Sequence, residues 1–238
     1  MGSLKQLYRS LCYVVLRSRE PVDARITAMS KLRAKKIKLI LFDVDGVLTD
    51  GKIWIFPAPE SGRPSASEQS EAASSKLVPG GRGSGFGFQS ASLIEAKGFH
   101  AHDGTAISLA RYAGIKTGVI TKRVSETVAL RARDLKMDHV YQGKQDKLTV
   151  FRQILEKDGI TAAEAAFVGD DVIDLPVMRQ CGLAIAVKNA RPEVKAEAHL
   201  VTAHAGGDGA ARDAVEYILK AQGKWKRAVA DYTEERGS

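Results

Sequence analysis

Ile37-Lys38-Leu39-Ile40-Leu41-Phe42-Asp43-Val44-Asp45-Gly46-Val47-Leu48-Thr49-Asp50-Gly51 is the stretch that decides the fold. Ile37 to Phe42 is an apolar run behind a basic stretch, which predicts a buried strand of a parallel sheet. Asp43 and Asp45 follow it at once. Two carboxylates that close repel each other unless a cation or a proton lies between them. A carboxylate pair at a strand end, followed by a tight glycine turn, suits a divalent metal with oxygen ligands. The plain alternative is a glycine-rich turn that happens to be acidic.

Outward from this stretch, strands and helices alternate. Lys52 to Phe56 is a second, shorter strand. Residues 57–90 are rich in Pro, Gly, Ser, Ala and Gln and nearly free of aliphatics, so they read as an insertion or linker without secondary structure. Residues 105–113 form a helix stopped by Gly114, Lys116 to Ile120 a strand, and Ser125 caps a helix running to Lys136. His139 to Tyr141 is a strand, Leu148 to Lys157 a helix closed by Gly159, and Ala165 to Val168 a strand. Asp171 to Gln180 reads as a helix, Leu183 to Val187 and Leu200 to Thr202 as strands, and Gly209 to Ala221 as the last helix. The pattern predicts an α/β fold, Rossmann-like, with a mostly parallel sheet covered by helices on both faces. Sites in such sheets lie at the carboxyl ends of the strands.

Four features fall there: Asp43 with Asp45; Thr121, a hydroxyl closing a strand; Lys147, opening a helix; and Gly169-Asp170-Asp171-Val172-Ile173-Asp174. Each has a dull reading as a cap or a surface residue. Together, in this order, they resemble the haloacid dehalogenase superfamily of phosphotransferases over about residues 37–222. The resemblance implies an aspartyl-phosphate mechanism. Asp43 is then the nucleophile, and Asp45 first protonates the leaving oxygen and then deprotonates the hydrolytic water. Thr121 and Lys147 would hold the phosphoryl oxygens. Mg²⁺ would bind the Asp43 carboxylate, the Asp45 backbone carbonyl and Asp170. Asp171 and Asp174 would stand beside or behind the metal, or Asp174 would orient Lys147. The acid at position 45 favours a phosphatase over the dehalogenases and ion pumps.

A narrower resemblance rests on Phe42 to Gly51, Glu95-Ala-Lys-Gly-Phe-His-Ala-His-Asp103-Gly104, Tyr141-Gln-Gly143, Val168 to Met178 and Gly206 to Arg212. These stretches are similar to the 3-deoxy-manno-octulosonate 8-phosphate phosphatases. That family is capless, with a short β-hairpin flap in place of a cap domain. Membership implies a homotetramer in which a neighbouring subunit closes each site, and a cytoplasmic role in making a lipopolysaccharide sugar. Its substrate is a small phosphorylated sugar acid. Arg123 and Arg131 match positions that contact it, Asp103 and Gly104 match the substrate loop, and His100 and His102 lie beside them. His102, Ser108, Lys122 and Asp208 depart from the family's usual residues, mostly by losing arginines.

The chain has 238 residues, 44% hydrophobic and 27% charged, the mix of a folded globular protein. No run of 18 apolar residues suggests a membrane span. Cys12 and Cys181 are too few for a disulfide scaffold. The formal net charge is +8, and all of that excess lies in residues 1–38. The reading is a basic extension (1–36), a phosphatase domain (37–222) carrying the 57–90 insertion in its flap, and a tail (223–238). Met29 marks residues 1–28 as a candidate upstream extension. The arm reads as a solvated leader rather than a nucleic-acid or membrane-surface element. Gly80 to Gly87 reads as linker rather than phosphate cradle, and Trp54 and Trp225 as packing residues. Two rival functions remain. One is the same chemistry on an acylneuraminate 9-phosphate, whose enzymes resemble this chain but carry an acid where Arg123 stands. The other is a non-catalytic module of this fold with a nucleic-acid-binding arm.

Overall fold

Leu39-Ile-Leu-Phe42 is buried at every position, which requires cover on both faces of the sheet. A computed structural model of the chain describes residues 29–57 and 93–237. In it, strand β1 (Leu39–Phe42) lies between β4 (Lys116–Ile120) and β6 (Ala165–Gly169). β5 (His139–Tyr141) lies outside β4, and β7 (Leu183–Ala186) and β8 (Leu200–Val201) outside β6. All five pairings are parallel.

Register decides what meets at the top of the sheet. Phe42 is paired with Val119 on one side and Val168 on the other. Two residues further, Val44, Thr121 and Asp170 leave the sheet at one level. This is the point where the chain's order reverses, since β4 and β6 flank β1 on opposite sides.

The helices fall into two groups. α1 (Ala101–Tyr112) packs against α6 (Ala210–Ala221) and α7 (Trp225–Gly237). α3 (Lys147–Asp158), α4 (Leu175–Met178) and α5 (Pro192–Glu197) form the second group. α2 (Glu126–Asp134) follows β4, with Ser125 as its extended cap residue. Gly114 and Gly159 adopt left-handed backbone and end α1 and α3, as glycine allows at no steric cost.

Two helices differ from expectation. α1 begins at Ala101, because Asp103 lies in its first turn and Gly104 is tolerated inside it. The helix expected from Asp171 to Gln180 is broken into a 3₁₀ turn, Val172–Asp174, and the short α4. Pro176 has no N–H to give to Val172, and Asp171 and Asp174 cap each other reciprocally.

The expected hairpin is present: β2 (Trp54–Pro57) pairs antiparallel with β3 (Leu93–Ala96), Trp54 opposite Ala96. The rest of the 57–90 insertion, Gly80 to Gly87 within it, and residues 1–28 lie outside the described residues. Trp225 packs against the core, with the Arg212 guanidinium 4.7 Å above its ring. Trp54 differs from expectation, being 53% exposed on the hairpin.

The folded unit reaches beyond 37–222 at both ends. Residues 29–34 are helical, Ala34 is buried and the Ser30 hydroxyl donates to the His199 carbonyl. At the other end, Tyr232 of α7 meets Tyr112 of α1 edge to face at 5.7 Å. A cavity of about 1030 Å³ bordered by Lys31, Lys35, Lys36, Lys38, Lys220 and Lys224 opens near the start of β1, away from the strand-end carboxylates.

Candidate active site

The turn after β1 brings its carboxylates to the sheet's carboxyl edge because Gly46 adopts φ +89°. No other residue fits there: a β-carbon on Gly46 would lie 2.2 Å from Asp170 Oδ2. The first motif and the strand-end acid of β6 are therefore in contact. A second clamp holds the same turn. Asn189 donates to the Gly46 carbonyl at 3.1 Å and accepts from the Gly206 N–H at 2.6 Å.

Lys147, at the start of α3, is 2% exposed. Its ammonium lies 2.9 Å from Asp43 Oδ1 and 2.7 Å from Asp174 Oδ1. Burial alone would lower its pKa, but the two carboxylates outweigh that and raise it above the ordinary lysine value. Asp43 also accepts the Val44 N–H at 2.7 Å, again on Oδ1. Both bonds load one oxygen, and Oδ2 carries neither. Burial and the nearby Asp174 charge push Asp43 up to about 6.

Asp170 is pushed up to about 7, by burial first and then by Asp174, Asp43 and Asp171. Its Oδ1 is buried and has no hydrogen-bond partner among the described residues. Carboxylate oxygens of Asp43, Asp170 and Asp174 lie within 4.8 Å of one another. This crowded, all-oxygen donor set suits a hard divalent cation such as Mg²⁺. Asp174 is the least available of the three. One oxygen serves Lys147 and the other accepts the Asp170 and Asp171 N–H groups at 3.0 and 3.4 Å. Among the described residues, Asp43 and Asp170 thus each keep an oxygen that could hold a metal, whereas Asp174 is spent on Lys147 and the backbone. Asp171 is exposed and caps the 3₁₀ turn by accepting from Val172.

Thr121 is 3% exposed, and its hydroxyl oxygen accepts the Arg123 N–H at 3.3 Å. Its own proton is given to no partner among the described residues. The Asp45 side chain is held by a separate set of charges. It pairs with Lys97, whose side chain is fully buried, and Arg123 Nε stands 3.7 Å from its other oxygen.

The expected substrate residues divide. Arg123 is already engaged, its Nη2 3.0 Å from Glu95 Oε2. Asp103 is built into the fold, since it accepts from the Arg212 N–H at 2.8 Å and the Gly209 N–H at 3.3 Å and so caps α6. Gly104 makes room for Arg131, whose Nη2 would lie 2.3 Å from a β-carbon there. Arg131 stands over the Phe99 ring at 5.9 Å, and His100 and His102 meet edge to face at 4.9 Å. Arg131 Nε and His100 Nδ1 are buried without partners among the described residues.

Lys97, Glu95 and Asn189 escaped the assignment of roles from sequence. Lys97 and Glu95 lie inside a quoted motif, but nothing local says that a hairpin lysine is buried against Asp45. Asn189 carries no local signal. Cys181 offers no alternative nucleophile, because burial pushes its thiol up to about 12.

Comparisons with known proteins agree with this fold. A family profile described as haloacid dehalogenase-like hydrolase matches residues 120–212. The 3-deoxy-D-manno-octulosonate 8-phosphate phosphatase KdsC of Escherichia coli K12 is 36% identical over 208 residues, 87% of this chain and 90% of that protein. The structure of the same-named phosphatase from Moraxella catarrhalis, in complex with magnesium ion, phosphate ion and KDO, superposes with a TM-score of 0.68. It is 32% identical and covers 85% of this chain and 97% of that one. The Yersinia pestis phosphatase gives a TM-score of 0.67 at 32% identity, covering 83% and 89%. The chain belongs to the 3-deoxy-D-manno-octulosonate 8-phosphate phosphatase family of haloacid dehalogenase-like hydrolases, which are Mg²⁺-dependent phosphoric monoester hydrolases.

Proposed function

We propose that the chain hydrolyses 3-deoxy-D-manno-octulosonate 8-phosphate to the free sugar acid and phosphate. The observation that carries this reading is the Lys147 ammonium seated between Asp43 and Asp174, beside the unpartnered Asp170 oxygen. An Asp43 oxygen attacks phosphorus, and the bond from phosphorus to the sugar oxygen breaks. Asp45 gives its proton to that leaving oxygen. Asp45 then takes a proton from water, whose oxygen attacks the aspartyl phosphate and releases inorganic phosphate from Asp43. Lys147 and Thr121 donate to the phosphoryl oxygens throughout. Asp43, Asp170 and the Asp45 backbone carbonyl would hold Mg²⁺, which when bound supplies positive charge against the phosphoryl group.

The sugar acid's polar groups would be met by Arg123, Arg131, His100 and His102. Two of these have buried nitrogens without partners in the described chain, which suits a polar ligand. Asp103 and Gly104 support that wall from behind. We place the enzyme in a homotetramer built through the β2–β3 hairpin, where Trp54, Ile55, Phe56, Leu93 and Ile94 are all exposed. The same reading places the reaction in the cytoplasm, in supply of a lipopolysaccharide sugar. Among the described residues no helix is long and apolar enough to cross a membrane.

The test is phosphate release with Mg²⁺ from a panel of octulosonate and nonulosonate phosphates. The eight-carbon ester should turn over best, and Asp43→Asn should abolish turnover. Preference for the nine-carbon ester would reassign the substrate. No turnover across the panel would favour a non-catalytic module.

A further inference from the structure

Lys97 is the residue whose placement the reaction above does not yet explain. It follows β3 directly, so the hairpin delivers it. Its side chain is fully buried, and its ammonium bonds Asp45 Oδ1. Burying a lysine is costly unless a carboxylate meets it. Here that carboxylate belongs to the acid–base residue itself.

Around this pair the charges alternate. Arg123 Nε lies 3.7 Å from Asp45 Oδ2, Arg123 Nη2 3.0 Å from Glu95 Oε2, and Lys97 Nζ 3.8 Å from Glu95 Oε1. Two members come from the hairpin, one from the turn after β1 and one from the loop after β4. Asp45 is the member of the four to which the reading above gives the acid–base role. The Lys97 contact is much the shorter of its two cationic contacts, so Lys97 sets the direction of the Asp45 carboxylate. Without it, Arg123 is the cation left beside Asp45 among the described residues, and it lies on the other oxygen. A general acid must come within hydrogen-bond reach of the oxygen it protonates, and a displacement of about 1 Å costs about 10²-fold in rate.

We propose that Lys97 is a positioning residue that aims the Asp45 carboxylate at the leaving oxygen, so that the hairpin supplies part of the acid–base apparatus. This rests on the phosphatase reading above. A leaving alkoxide needs the Asp45 proton, and a p-nitrophenolate leaves without it. Asp45 also serves as base toward water whichever ester is used, so the two esters differ only in the first step. In kcat/KM, which reports that step, a defect confined to positioning falls on alkyl esters and spares aryl ones, whereas a general loss of structure affects both.

The experiment compares wild type, Lys97→Met and Lys97→Arg with Mg²⁺ on an alkyl sugar phosphate that the wild type hydrolyses and on p-nitrophenyl phosphate. Thermal unfolding is followed alongside. For Lys97→Met, kcat/KM on the alkyl ester should fall about 10²-fold, and kcat/KM on the aryl ester should lose far less. Lys97→Arg should recover most of the alkyl activity. Equal losses on both esters, or none, would overturn the proposal while the phosphatase reading stands. A wild type that hydrolyses neither ester would sink the phosphatase reading, and the proposal with it. If Lys97→Met does not fold, Lys97→Gln is judged by the same ratio.

Discussion

Lys147 and Asp174 form a buried ion pair, 2.7 Å between Nζ and Oδ1, with the lysine 2% and the aspartate 0% exposed. Asp174 also accepts two backbone N–H groups from the loop that carries Asp170. One carboxylate thus ties Lys147 to the loop that carries Asp170.

Asp174→Ala should damage both. It leaves Lys147 with Asp43 alone and strands two N–H groups, and breaking a buried pair from one side costs about 3 kcal/mol. Chemical denaturation should register that loss. Turnover should drop at least about 10²-fold, because Lys147 loses the partner that holds its ammonium in place toward the phosphoryl group. Near-wild-type stability would show that Asp174 is not the anchor.

Gly46→Ala is the smallest change that should disable metal binding. The added carbon needs the space of Asp170 Oδ2 at a backbone angle of φ +89° that alanine disfavours. Displacing a ligand's support typically weakens metal affinity by about 10–100-fold. Titrating Mg²⁺ against activity should show that weakening, with part of the rate restored at high Mg²⁺.

Stability should depend on pH and Mg²⁺ together. Asp43 and Asp170 are raised from 3.8 to about 6 and about 7, mainly by burial. Raised carboxyl groups favour the protonated folded state. Their contribution to the metal-free protein is therefore full below the ordinary carboxylate range and is lost as pH rises through 6 to 7. Ligation needs the ionised forms, so the stabilisation from Mg²⁺ grows over the same window. Melting temperatures after chelation should fall from pH 5 to 8, and millimolar Mg²⁺ should raise them more at pH 8 than at pH 5. An equal Mg²⁺ shift at both pH values would contradict this assignment.

Assembly should respond to the hairpin. Ile55 and Phe56 are about half exposed on a two-stranded sheet that cannot bury them by itself. Ile55→Asp with Phe56→Asp should yield a smaller species in sedimentation velocity, with the described core still folded. An unchanged sedimentation coefficient would remove the hairpin from the assembly.

Much of this was legible along the chain. Ile37 to Phe42 announced a buried parallel strand, of which Leu39 to Phe42 is paired in the sheet, and strand–helix alternation announced the sheet. Asp43, Asp45, Thr121, Lys147 and Asp170 could be picked out as candidates because each stands just past the end of a strand or at the start of a helix. The break at Pro176 was missed because the acidic cap before it resembled an ordinary helix start. The inward use of Asp103 was missed because its partners, Gly209 and Arg212, lie far away in sequence.

Local order along the chain determined the elements, their parallel arrangement and the residue types at the strand ends, because periodicity and capping act over a few residues. Only the tertiary structure decided that Lys97 and Arg123 share Asp45, that Asp174 spends its oxygens on Lys147 and the backbone, and that Asn189 joins two glycine turns. Those are contacts between distant segments, and a side chain's partner is settled by which surfaces the packed sheet and hairpin bring within reach.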